Sequence, residues 1–328
     1  MRQDRFIARH DADWIALATW LDQADRRKRD AGADSGLHDS DVPQRYRRLC
    51  QQLALARRRG YSPMLIERLA QLVERTHTLM YRPPNPRWWR AVAFIASEFP
   101  AEVRAQRGWM LASGLLFFLP FFAMIAAVLW QPEIAHSVFD IDQLAQMEQM
   151  YDPSNDDRLG RDSGTDLMMF GHYIMNNISI GFRSFASGLL VGLGSVVVLV
   201  SNGVMIGTVA GHLTGIGYGA PFWRFVVGHS APELLAIVIS GGAGMRLGFA
   251  LIAPGQLSRV AALIAAGRIG ARLILGVFVM LLAAAFIEAF WSSIASLPDV
   301  VKYGSGAAIW LVVLGWLGFG GRGRVHAS

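Results

Sequence analysis

His229 and Glu233 stand four residues apart in RFVVGHSAPELLAIVISGGAGMRLGFALIAPG, a largely apolar run from Arg224 to Gly255 with Pro232 between them. At that spacing both side chains share one face of a helix. Ionisable groups inside a membrane span are expensive and mark either function or an organised polar contact. Three kinds of chemistry suit the pair. Imidazole and carboxylate at i,i+4 form half of a transition-metal site, for zinc above all, with His212 or Glu288 available as a third ligand. The H-E-x-x-H helix of zinc hydrolases is absent. An acidic group in a Pro-bearing span also suits a proton relay or transport path, although no inverted repeat is visible. In the third reading the pocket needs no cofactor: Arg183 neutralises a glutamate and the histidines hydrogen-bond across helices.

The elements that would hold these groups are membrane spans. Of 328 residues, 53% are hydrophobic and only 17% charged, which places the chain outside ordinary soluble proteins. Trp109 to Trp130 is 22 residues without a charge, about 33 Å at helical rise and enough for a hydrocarbon core. Ser184 to Trp223 holds no Lys, Arg, Asp or Glu across 40 residues, room for two spans and a tight turn. Tyr303 to Gly321 is a further uncharged run. The fold class expected is all-α: a polytopic helix bundle preceded by a helical domain over residues 1–108.

That N-terminal region is charged and helix-patterned, with no apolar signal segment in its first 30 residues. Phe6, Trp14, Leu17 and Leu21 recur near helical spacing, then Tyr46, Leu49, Leu53 and Ala56. After Ser62 and Pro63 come Leu65, Leu69, Leu72, Val73 and Leu79. Pro83, Pro84 and Pro86 break the pattern. Trp88, Trp89 and Phe94 beside Arg87 and Arg90 then predict an amphipathic helix at the membrane surface, near 87–106. The single cysteine, Cys50, excludes an internal disulfide and fits a reduced compartment.

Loop charge sets the orientation. Residues 1–108 carry 20 of the 31 basic residues, which predicts a cytoplasmic location. The same rule accounts for the net charge of +6 without nucleic acid as a partner. The loop 131–173 has nine acidic residues against Arg158 and Arg161, so it is expected outside. Arg259, Arg268 and Arg272 return the chain inside, and so do Arg322 and Arg324 in the tail 322–328. Six spans satisfy these sides: about 109–130, 180–201, 203–217, 224–241, 272–292 and 303–321. Residues 243–255 are left as a re-entrant or interfacial segment. In this arrangement Arg183, His212, His229, Glu233 and Glu288 converge on one pocket in the outer half.

Glycines crowd the middle spans. Gly188 with Gly192, and Gly203, Gly207 and Gly211, repeat every four residues, which lets helix backbones approach closely, within one chain or across a homo-oligomer face. The run Gly241-Gly242-Ala243-Gly244 lacks the residues of a phosphate loop and reads as a flexible turn. No nucleophile elbow is present.

At these residues the chain resembles the stage II sporulation protein M family of polytopic bacterial membrane proteins. The similar blocks, in order, are YRRLCQQLALARRRGYSPMLIERLAQLVERTHTLMYR (46–82), NNISIGFRSFASGLLVGLGSVVVLVSNGVMIG (176–207), HSAPELLAIVISGGAGMRLGFALIAPG and AAFIEAFWS (284–292). Family members often carry Gly where this chain has Ser230 and Ala289. The resemblance implies a membrane organiser without established catalytic chemistry, which in endospore formers works with a peptidoglycan-degrading partner and a second membrane protein. The expected function is thus a non-enzymatic scaffold of the bacterial inner membrane that recruits other envelope membrane proteins. A transporter or channel subunit is the alternative, and a metal-dependent intramembrane enzyme the third.

Overall fold

The computed structural model describes residues 3–26, 41–80, 88–154, 159–160 and 165–322. The expected polar loop near 31–41, the proline break at 83–86, Arg158, Arg161 and Arg324 lie wholly or mostly outside these. All regular elements among the described residues are helical. The chain divides into two compact units, residues 1–87 and 88–328.

In the first unit α1 (Gln3–Arg26), α2 (Val42–Arg58) and α3 (Pro63–Met80) pack together. Their apolar stripes meet in one core of Phe6, Trp14, Leu17, Leu21, Leu49, Leu53, Ala56, Leu65, Leu69 and Leu72. Trp14 is buried and donates from Nε1 to Gln52 Oε1 at 2.7 Å, which satisfies its one polar atom inside the core. Ser62, just ahead of Pro63, accepts from Gln3 Nε2 and donates its backbone N–H to Gln3 Oε1.

The second unit opens with α4 (Trp88–Ala93), a π-helical turn over Phe94–Glu98 and α5 (Phe99–Ala105). Only its start has the character of a surface helix: Trp88, Trp89 and Val92 are exposed, whereas Phe99 and Val103 are buried. Phe99 and Val103 share a core cluster with Leu273, Val277 and Leu317. Arg104 donates to the carbonyls of Leu317 and Gly320, closing the end of the last helix. Residues 88–108 therefore belong with the bundle rather than with the N-terminal domain. The apolar side chains that the bundle takes up, Phe99 and Val103, come after the exposed Trp88–Val92 stretch.

Among the described residues six long helices make the bundle: α6 (Arg107–Trp130), α8 (Asp166–Ala186), α9 (Leu193–Gly215), α11 (Ser230–Ile252), α12 (Arg259–Ile287, continued by a π turn over Glu288–Ser292) and α13 (Asp299–Phe319). The short α7 (Ile141–Met150) lies in the connection after α6, and α10 (Gly219–Val226) between α9 and α11. Five of the six are long and apolar enough to cross a membrane. The exception is α8, of similar length but carrying Asp166, His172, Asn176, Asn177 and Arg183. Its polar residues are partly sheltered: Tyr173, Asn177, Gly181 and Ser184 form a buried stripe that packs on α11 and α12.

Several expected boundaries move: α11 starts at Ser230 rather than near 224, and α12 at Arg259 rather than near 272. The connection after α6 ends near 165, because α8 starts at Asp166 under a Thr165 cap. The break expected near 202 lies at 187–192, where Val191 and Gly192 take φ of 57° and 85°. Hydropathy does not mark this turn, because both sides of it and the turn itself are apolar. Residues 243–252 continue α11 instead of forming a re-entrant segment, since the glycines there are helical and buried.

Glycine contacts give the helix directions. A Cβ on Gly203 or Gly207 of α9 would run into the backbone of Phe117 or Phe121 on α6, and on Gly211 into Val128 and Ile125. Numbers rise together, so α6 and α9 are parallel. Gly188 and Gly192 face Gly244, Met245 and Gly248, which sets α8 parallel to α11. Both glycine series thus pack inside one chain. Apolar side chains have little to gain by leaving lipid for one another, so such close contact is what holds helices together in a membrane. The most buried span is α11, with α6, α8, α9, α12 and α13 around it. Trp130, Asp166, Gly215, Ser230, Ser292 and Asp299 consequently mark one end of the bundle, termed the connection end.

Candidate functional site

The connection end holds a cluster of buried His229 and Glu288 with partly buried Glu233, whose ligand atoms all lie within 4.8 Å of one another. His229 is the residue before α11, and Glu233 lies in the first turn of that helix, where the N-terminal dipole favours a negative charge. Glu288 opens the π turn that ends α12. Such turns redirect side chains by one position and recur at functional sites. His229 Nε2 lies 3.7 Å from Glu233 Oε2. Its Nδ1 is 2.9 Å from Ser292 Oγ, in the same π turn. Asn177 on α8 donates from Nδ2 to Glu288 Oε2 at 3.3 Å. Phe225 meets the imidazole edge-on with ring centroids 5.2 Å apart.

Beside the cluster lies a cavity of about 570 Å³, lined mainly by aromatic and aliphatic side chains including Phe118, Phe121, Phe222 and Trp310, with His229, Glu233 and Glu288 in its wall. Tyr151, just after α7, packs on Phe222 and Phe225 at the same wall. Burial, with Glu288, Tyr173 and Glu233 adding to it, pushes the Tyr151 hydroxyl up, so it remains a neutral phenol.

Two expected members are elsewhere. His212 bonds through Nε2 to Glu148 Oε1 on α7 at 2.7 Å, tying the connection to the end of α9. Arg183 is exposed near the opposite end of α8 and donates to the carbonyl of Ser179 in its own helix. The first correction comes from the connection, whose α7 supplies Glu148, and the second from the shifted turn. With the break at 187–192, Arg183 belongs to the far end of α8.

Lys302 of α13 is a further buried member, one that residue spacing does not single out. Its Nζ donates to the carbonyls of Trp291 and Ser292 at 3.0 and 2.8 Å and lies 4.4 Å from the centre of the Trp291 ring. Its only signal in the sequence is one cation at the mouth of an apolar run, and Asn177 is visible there only as one of a pair. Arg224 donates to the carbonyls of Ala295 and Leu297 and pairs with Asp299 at 3.0 Å. Ser230 accepts from Trp310 Nε1 at 3.0 Å, fastening α13 to the first turn of α11.

A family model for stage II sporulation protein M matches residues 114–293, just over half of the chain. The chain belongs to that family. The matched segment contains all three members of the cluster together with Asn177 and Ser292, while Lys302 and Trp310 lie beyond it. Residues 4–82 match a separate domain of unknown function, so the block at 46–82 falls outside the stage II sporulation protein M match. No curated protein and no solved structure matches the chain. Family membership and the apolar helices make this a multi-pass membrane protein.

Proposed function

We propose that this stage II sporulation protein M family member is a non-enzymatic organiser of the bacterial inner membrane. Its N-terminal domain and C-terminal tail would lie in the cytoplasm, and its acidic connection would recruit envelope proteins on the other side. The orientation rests on the basic N-terminal region and the few Lys and Arg in the connection.

The organiser role is supported by one observation, the distribution of polar groups along the bundle. His229, Glu233, Glu288, Asn177 and Lys302 gather at the connection end. Beyond them α11 presents buried Ile237, Val238, Ile239 and the glycines 241, 242 and 244, without an ionisable side chain until Arg246. Gly244 and Gly248 there press on the backbone of the 184–192 segment. A seam of that kind suits a fixed platform better than a path that must open alternately to two sides. The cavity beside the carboxylates favours a second reading, a transport or ligand-handling subunit.

Cross-linking in native membranes followed by mass spectrometry separates the two. The variant Glu133→Lys/Asp142→Lys alters two exposed residues of the connection. It is expected to lose the wild-type envelope partners several-fold while keeping the same thermal midpoint. A partner set no different from that of an unrelated multi-pass protein would sink the organiser reading. Solute or ion flux into proteoliposomes, abolished by Glu233→Gln, would replace it with transport.

A further inference from the structure

We propose that His229, Glu233 and Glu288 bind one divalent transition-metal ion of the zinc class at the connection end of the bundle. One imidazole and two carboxylates form a donor set that takes zinc or a neighbouring first-row ion. The three donor atoms already lie within 4.8 Å of one another. The His229 Nε2 to Glu233 Oε2 separation of 3.7 Å is too long for a hydrogen bond. It is close to the roughly 3.3 Å that separates two donors on one tetrahedral ion with bonds near 2.0 Å.

The surroundings point the same way. His229 Nδ1 lies 2.9 Å from Ser292 Oγ, and in the tautomer that donates from Nδ1 the Nε2 lone pair faces Glu233. Fixing the second ring nitrogen in this manner is how proteins orient a metal-binding histidine. Asn177 holds the Glu288 carboxylate in turn. A buried Glu288 beside a partly buried Glu233 calls for a counter-charge. Among the described residues no Lys or Arg pairs with either within 4 Å. The cations at this end, Lys302 and Arg224, spend donors on main-chain carbonyls instead.

An independent observation comes from α8. Tyr173, only 7% exposed and one turn before Asn177, has a buried hydroxyl without a hydrogen-bond partner. A polar group of that kind is rare unless a ligand or its bound water completes it. Three protein donors leave an open coordination position, and the wall that holds them borders the 570 Å³ cavity. An oxygen of water or of an amphiphile's head group would fill that position.

The test uses the full chain in detergent, purified through a tag that binds no metal and without chelator. Metal is counted by plasma mass spectrometry. The protein is then stripped and titrated with Zn²⁺, and separately with Co²⁺, whose visible bands report the donor atoms. Wild type and His212→Ala are expected to hold about one ion per chain. His229→Ala, Glu233→Gln and Glu288→Gln should each lose it at least tenfold. Ser292→Ala should weaken binding about 10- to 100-fold, as loss of an outer partner does. Equal occupancy in wild type and the three ligand variants overturns the site, and so does loss in His212→Ala with retention in Glu288→Gln. If the ligand variants do not fold, the stripped wild type decides. No uptake, or a Co²⁺ spectrum identical to that of the aqueous ion, overturns the proposal.

Discussion

Gly248→Leu is expected to remove most of the folded, monodisperse protein from a size-exclusion profile. A Cβ at Gly248 would collide with Gly192 N, Gly188 O and Gly192 Cα, all main-chain atoms. Overpacking a protein interior costs about 1–3 kcal/mol when neighbouring side chains can shift. Main-chain atoms in a left-handed turn cannot change rotamer, so the cost should reach about 3 kcal/mol or more. To relieve it α11 would have to lift off the 187–192 turn, taking Gly244 with it. The comparison is Gly304→Leu on α13, where a Cβ meets nothing within 4 Å. That variant should keep the wild-type elution profile and thermal midpoint. Equal behaviour of the two variants would refute the close seam between α11 and the turn.

The second large effect is expected at Lys302. Lys302→Met keeps most of the stem volume and deletes the ammonium that two carbonyls of the π turn share. Leaving buried acceptors without their charged donor costs about 1–3 kcal/mol each, and the contact over the Trp291 ring is lost as well. A total near 3 kcal/mol is expected, read as a lower midpoint in thermal unfolding of the detergent-solubilised protein. Lys302→Arg, also cationic, should recover part of it. If Lys302→Met unfolds at the wild-type temperature, the ammonium is not closing the π turn.

Much of this architecture is legible from residue types alone. The apolar repeats of Phe6, Trp14, Leu49 and Leu69 name the core that the three N-terminal helices bury. The all-helical membrane bundle and the family follow from the uncharged runs and their blocks. Boundaries inside apolar sequence are less legible, because a turn such as 187–192 is made by backbone dihedrals and leaves no polar mark. A turn placed near 202 carries Arg183 into the pocket, although in the fold it is exposed near the far end of its helix. His212 leaves the pocket for another reason. Its partner Glu148 comes from α7 in the connection, a contact no spacing within the spans encodes. Lys302 escapes notice because a cation at a span edge reads as a solvent anchor, whereas in this fold it is fully buried against carbonyls contributed by the preceding helix.

The Lys302 contact also sets an order of assembly. The ribosome completes α12 and its π turn before it makes α13, so the carbonyls of Trp291 and Ser292 wait for a donor that does not yet exist. The turn that carries Glu288 and Ser292 gains this donor only when the first turn of α13 docks, whereas the Asn177 contact to Glu288 is made by a helix synthesised earlier.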